Sequence, residues 1–336
     1  MKKFTRLLIM FFVVLVVVYF VGPKPPAADL NLNLPTLPAG LNNVEKYIEK
    51  KEKELEIKSN NESRIFWADS IGKKRTDYTL LYLHGFSASW MEGYPANSAF
   101  AGYFGMNAYF PRLAGHGLVT DEPLLEMTPD NLWESAKEAL LVANKLGERV
   151  IIMSTSTGGT LALKLAAEFP EYVDGLILYS PNIRINNNSA FLLARPWGLQ
   201  LARYVSNDRY RITDDDFESI NCQYWYCKYR LEAVVYLQQL VDATMEKETF
   251  SRVTVPVFLG YYYKDKDNQD KTVRVDAMQK MFSQLGTPED QKVEKVFPDA
   301  GDHVIASELI SNSVDKVVQE TLNFGEQILG LKPVRH

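Results

Sequence analysis

Met153-Ser154-Thr155-Ser156-Thr157-Gly158-Gly159 stands between an apolar run, Arg149-Val150-Ile151-Ile152, and a helix-like run from Thr160 to Phe169. A turn needs small residues that tolerate unusual backbone angles. It does not need four consecutive hydroxyl side chains followed by two glycines. The segment fits small-x-Ser-x-Gly, with Ser154 in the place that G-x-S-x-G gives to its first glycine. Where strand and helix meet this sharply, the residues two before and two after the serine face each other, and Ser154 and Gly158 are small enough. The turn is expected to hold Ser156 in a strained conformation with its hydroxyl exposed. The helix that follows aims free N–H groups at any charge that develops there. Ser156 is therefore the candidate nucleophile.

A serine at neutral pH needs a base. The chain has four histidines: His84, His116, His303 and His336. His336 is the last residue and is set aside. His84 in Leu83-His84-Gly85-Phe86 and His116 in Gly115-His116-Gly117 precede the serine and read as loop-fixing residues. His303, in Gly301-Asp302-His303, follows the last strand-like run and precedes a helix, where a loop can carry an imidazole to the serine. The Phe86 N–H, freed by the close backbone approach at Gly85, and the Thr157 N–H would form a two-donor oxyanion hole.

Around these residues the chain alternates strand, loop and helix from about Arg64 onward. Strands are predicted at 78–83, 106–111, 149–153, 174–180, 255–263 and 291–297, and a helix at 129–146 with Leu132, Ala136, Ala139, Leu140 and Ala143 on one face. Runs that are apolar at every position predict strands buried on both faces. The expected fold is α/β, a mostly parallel central sheet with helices on both faces. The rhythm breaks between Pro181 and Arg252, in a helix-like insertion that would cover the carboxyl ends of the strands, where such sheets bind ligands. Within it, Cys222 and Cys227 lie five apart on an expected helix, point in different directions, and read as packing residues rather than a disulfide. No metal spacing is present, and neither a metal nor a cofactor is expected.

The first residues carry three positive charges, and Leu7 to Val21 is continuously apolar. That is the layout of a signal peptide or signal anchor. Cleavage near Gly22 or Ala27–Ala28 would put Phe20 or a proline at the third place before the cut, so an anchor at 1–22 is expected, with the remainder exported. Residues 23–42, rich in proline, read as an extended linker, and the stretch 42–58, opening on an asparagine cap signal, reads as a mostly solvated helix. The remaining 43–336 form the main domain, with its cap at about 182–252. A net charge of −5 argues against a nucleic-acid partner.

The blocks Leu83-His84-Gly85-Phe86, Pro111-Arg112-Leu113-Ala114-Gly115-His116-Gly117, the Ser156 turn and Ala300-Gly301-Asp302-His303 together resemble the α/β-hydrolase superfamily, and more narrowly serine carboxylesterases and monoacylglycerol-lipase-like hydrolases. The resemblance implies a cap after the sixth strand and a triad in the order serine, aspartate, histidine. The acid belongs on the loop after the strand expected to end near Tyr263, where Asp265, Asp267 and Asp270 stand. Asp265 is nearest the strand end, and the preceding Tyr263-Lys264 resembles the context in relatives, so Asp265 is the expected acid. The implied activity is ester hydrolysis through Ser156, His303 and Asp265, on a small-molecule ester with an apolar acyl group. An amidase or aminopeptidase is the alternative within enzymes, although no acidic cluster for a substrate amine shows in the cap. A non-catalytic binding protein on the same fold would ordinarily lack one of the three residue types. For a purely structural membrane-anchored protein the serine turn would be an accident. The cap aromatics Phe191, Trp197, Tyr204, Tyr210, Trp225, Tyr226 and Tyr229 read mainly as packing, with some lining an acyl pocket.

Overall fold

The structure, a computed structural model, describes residues 2–334; His336 lies outside the described residues. Two helices open the chain, α1 (Lys2–Val21) and α2 (Leu41–Lys53). Strands β1 (Arg64–Phe66) and β2 (Thr76–Leu83), helix α3 (Ala96–Tyr103) and strand β3 (Asn107–Phe110) follow. Next come α4 (Pro129–Leu146), β4 (Gly147–Thr155), α5 (Thr157–Glu168) and β5 (Gly175–Tyr179). The insertion contains α6 (Gly198–Ser206), a two-stranded ribbon of β6 (Tyr210–Ile212) and β7 (Lys228–Arg230), α7 (Ile220–Tyr224), α8 (Leu231–Thr244) and α9 (Lys247–Arg252). The chain then completes the sheet with β8 (Val257–Tyr261), α10 (Val275–Gln284), β9 (Lys292–Val296) and α11 (Val314–Gln327).

Among the described residues the main sheet has seven strands in the order β1-β3-β2-β4-β5-β8-β9. Only β1 runs antiparallel to its neighbour. Every residue of β3, β5 and β8 is buried, as expected of strands covered on both faces. Side chains alternate across the sheet: Leu81 and Leu83 of β2 join the core under α4 and α5, while Leu80 and Tyr82 join the core under α3 and α11. Helix α4 runs over the predicted residues, and all five of its predicted face residues are buried. Its first turn is capped by Thr128, whose side chain accepts from the Asn131 amide, a contact worth about 1 kcal/mol.

Five strands of the sheet precede the insertion in chain order, one fewer than the resemblance implies. The insertion is less helical than its composition suggests. The stretch around the two cysteines is not one helix, because α7 ends at Tyr224 and Trp225 is extended at φ −122° and ψ 156°. The chain turns back, the two Cα atoms come within 5.3 Å, and Cys222 and Cys227 form a disulfide. The reading of these residues as unbridged is therefore wrong: helical spacing does not apply where the helix has ended.

Residues 23–38 form neither helix nor strand, and they are not free of the fold. They strap along α4: the Asn31 carbonyl accepts from Trp133 Nε1 at 2.7 Å and Lys137 Nζ at 2.9 Å, and Asp130 Oδ1 accepts from the Asp29 and Leu30 amides. Leu30, Leu34 and Leu37 pack against the core. Helix α2 buries Val44 and Ile48, and Gly40 rather than an asparagine caps it.

Candidate active site

Ser156 sits between the end of β4 and the start of α5, at φ 53° and ψ −117°. Such angles are costly for a residue with a side chain and persist only where the surroundings enforce them. Here the Ser156 amide donates to the Tyr179 carbonyl of β5 at 3.0 Å, and its carbonyl accepts from Gly159 and Asn182 at 2.9 Å each. Gly158 is required by close approach: a Cβ there would lie 2.0 Å from the Leu83 carbonyl oxygen of β2. The Ser154 hydroxyl comes near Gly159, where a Cβ would lie 3.6 Å from Ser154 Oγ and 2.6 Å from Pro181 Cβ. The small residues around the serine thus make room for β2 and for the segment after β5.

His303 follows β9 on its loop, and its Nδ1 lies 2.6 Å from Asp270 Oδ2. Asp270 Oδ1 accepts from the Thr272 and Val273 amides, which leaves Oδ2 for the imidazole. His303 Nε2 is buried and has no hydrogen-bond partner among the described residues. Burial pulls the His303 pKa down, but the Asp270 charge and hydrogen bond, with Glu92 and Asp302 adding, outweigh it and leave the pKa raised.

The expected acid, Asp265, is not at the imidazole. Strand β8 ends at Tyr261 rather than Tyr263, and the loop after it folds into a small hairpin closed by a bridge between Tyr263 and Gln269. Asp265 Oδ1 closes the hairpin tip by accepting from the Asp267 and Asn268 amides at 2.9 and 2.8 Å. The hairpin returns Asp270 to the strand end, where its amide donates to the Tyr262 carbonyl at 3.1 Å. Asp265 points to solvent while Asp270 is 1% exposed.

Phe86 and Thr157 both line the cleft beside Ser156. Neither backbone amide donates a hydrogen bond among the described residues. The loop that carries Phe86 is fixed by His84 and His116. His84 Nδ1 contacts the Gly85 carbonyl at 2.9 Å, and its Nε2 accepts from the Leu113 amide. His116 Nδ1 contacts the Ala114 carbonyl, and its Nε2 accepts from the Ser87 amide at 3.1 Å. The two rings meet edge to face at 4.9 Å. Burial drives the His84 pKa down to about 4, against its bond to Gly85. Burial and His84 hold His116 well below its ordinary value.

Sequence reasoning missed Glu92. It lies on a single 3-10 turn, Trp90–Gly93, is 2% exposed, and accepts from the Gly85 amide through Oε2 at 2.5 Å. The one visible signal is an acid isolated within the aromatic stretch Trp90-Met91-Glu92-Gly93-Tyr94.

These groups open onto a cleft of about 800 Å³ between the strand ends and the insertion. The insertion supplies an apolar wall that includes Leu192, Leu201, Val205 and Leu237, together with Trp225, Tyr226 and Tyr229. The other cap aromatics, Phe191, Trp197, Tyr204 and Tyr210, are not part of that lining.

Residues 80–319 match the model of the Alpha/beta hydrolase family, and the chain belongs to that family. Among solved structures it is similar to one from work on LipS and LipT, two metagenome-derived lipolytic enzymes, with TM-score 0.62 and 18% identity over 80% of this chain and 98% of that one. It is also similar to the monoacylglycerol lipase of Paleococcus ferrophilus, with TM-score 0.52 and 14% identity over 76% of this chain and 98% of that one. A third is Est1E from Butyrivibrio proteoclasticus with ferulic acid bound, with TM-score 0.52 and 15% identity over 80% and 95%. At these identities the likeness is one of fold. No curated protein matches the sequence.

Proposed function

We propose that this hydrolase cleaves carboxylic esters, with Ser156 as nucleophile, His303 as general base and Asp270 as the acid that orients it. One observation carries the reading. The strained Ser156 opens into the same cleft as an imidazole whose Nδ1 is held by a buried carboxylate and whose Nε2 has no partner. Ser156 Oγ attacks the ester carbonyl carbon as its proton passes to His303 Nε2. The Phe86 and Thr157 amides receive the oxyanion, and collapse expels the alcohol, which takes the proton from Nε2. Water then repeats the sequence on the acyl-enzyme. Asp270 keeps the proton on Nδ1 and stabilises the imidazolium. An ester is favoured because the cleft is walled by aliphatic and aromatic side chains that suit an acyl group, and because the similar structures named above include lipolytic enzymes.

Helix α1 supports a membrane partner. The span Lys3–Val21 is 19 residues of apolar helix with none of it buried, long enough to cross a bilayer. Its end touches the insertion, where Trp197 donates from its amide to the Pro23 carbonyl at 2.8 Å and from Nε1 to the Val18 carbonyl at 3.0 Å. We read α1 as an anchor with the hydrolase body on the exported side.

A fluorophosphonate probe tests the chemistry. It should label Ser156 and not Ser154, and Ser156→Ala should lower hydrolysis of p-nitrophenyl esters by several orders of magnitude. An alanine variant with full activity would end the reading.

A further inference from the structure

Apart from Asp270, Glu92 is the only carboxylate among the described residues that is fully buried. Among the same residues, no lysine or arginine pairs with it. A buried carboxylate without a cation costs stability that a glutamine of the same shape would not. Its position is specific. The Gly85 amide, one residue before the oxyanion donor Phe86, donates to it. A Cβ on Gly85 would lie 2.8 Å from Glu92 Oε1 and 3.0 Å from Ser156 Cβ. The carboxylate and the nucleophile thus both border the space that a side chain on Gly85 would fill. Other groups acting on Glu92 are Tyr82 of β2, Trp225 of the insertion and His303 of the loop after β9. His303 in turn faces Asp270, Asp302 and Glu92.

We propose that Glu92 is a positioning residue of this site: its carboxylate braces the oxyanion loop through the Gly85 amide and, as a second negative charge beside Asp270, stabilises the His303 imidazolium. The role rests on the serine-hydrolase reading above. The brace keeps the Phe86 amide turned into the cleft, because a loop tied down at Gly85 has little freedom one residue later. The charge acts through the imidazole at the step in which Nε2 holds the serine proton. Burial pushes the Glu92 pKa up to about 7, while the Gly85 bond and the His303 charge oppose that rise. The Glu92 carboxylate therefore carries its charge as pH rises through about 7.

Two substitutions separate the brace from the charge. Glu92→Gln keeps an oxygen for the Gly85 amide and removes the charge. It should retain KM, lower kcat, and move the acid limb of the kcat/KM profile to lower pH, because a less stabilised imidazolium loses its proton sooner. Glu92→Ala also removes the brace, and its kcat should fall by about 10²-fold, the scale of losing one oxyanion donor, with KM little changed. Proton NMR titration of the His303 ring in the wild type and Glu92→Gln reads the charge effect with no substrate. A His303 midpoint unmoved in Glu92→Gln overturns the proposal, as does a Glu92→Ala enzyme as active as Glu92→Gln. If the alanine variant does not fold, the glutamine variant decides alone. A wild-type chain that neither turns over esters nor reacts with fluorophosphonate counts against the hydrolase reading, while the NMR midpoint still judges Glu92.

Discussion

Replacing Asp270 by asparagine leaves a group of the same shape beside His303, but one that need not present an acceptor to Nδ1. The imidazole then settles in the wrong tautomer, with its proton on the nitrogen that should receive the serine proton. In Asp270→Asn, kcat should fall by about 10⁴-fold, the scale of loss when a triad imidazole is held in the wrong tautomer. Asp265→Asn should leave kcat and Tm close to the wild type, because asparagine can close the same exposed turn over Asp267 and Asn268. Steady-state kinetics on the two variants decide between the aspartates. Loss of activity in Asp265→Asn with retention in Asp270→Asn would reverse the assignment. Glycine 158 shows the same dependence on neighbours, since its need for no side chain comes from a carbonyl 75 residues earlier in β2.

At the level of elements, the strap between α1 and α2 is the part whose composition misleads. Proline-rich and aperiodic, it reads as a spacer that could be removed. Its carbonyls at Asn31 and Asn33 nevertheless hold Lys137 of α4, a side chain fully shielded from solvent. Its leucines cover apolar surface that would otherwise be wet. Residues 28–336 should therefore be soluble, fold, and melt several degrees above residues 41–336. The full chain should sediment with membranes. Differential scanning calorimetry and membrane fractionation check both points. Equal melting temperatures for the two truncated forms would show that the strap adds nothing to the fold.

Over the whole molecule, buried titratable groups near the site pull the pH dependence of stability in opposite directions. His84, with a folded pKa of about 4 against an ordinary 6.5, binds fewer protons folded than unfolded between those values. His116 acts in the same sense. Their contribution is lost as pH falls from 6.5 toward 4. Glu92, raised from 4.5 to about 7, binds more protons folded than unfolded in that interval, so its contribution is lost as pH rises from 4.5 through 7. His303, also raised, loses its contribution as pH rises above 6.5. The two slopes offset each other between 4.5 and 6.5 in the wild type. In Glu92→Gln the Tm should climb more steeply with pH across that window, because only the histidine slope remains. A series of thermal melts at fixed ionic strength measures it, and an unchanged or flatter slope would contradict the assignment.

The sequence by itself determined what local pattern controls. Apolar runs set the strands, the period of α4 set its buried face, and the small residues around Ser156 set the turn, because strand, helix and turn each arise from neighbours within a few positions. His303 was legible for the same reason, being an isolated histidine on a loop after the last strand. Tertiary structure alone decided the rest. Asp270 reaches the imidazole because a hairpin folds the nearer aspartates outward. Cys222 and Cys227 meet because the chain reverses between them. Glu92 matters because a single turn carries it under a glycine seven residues back. Each depends on where the chain returns in space, and distance along a sequence does not measure that return.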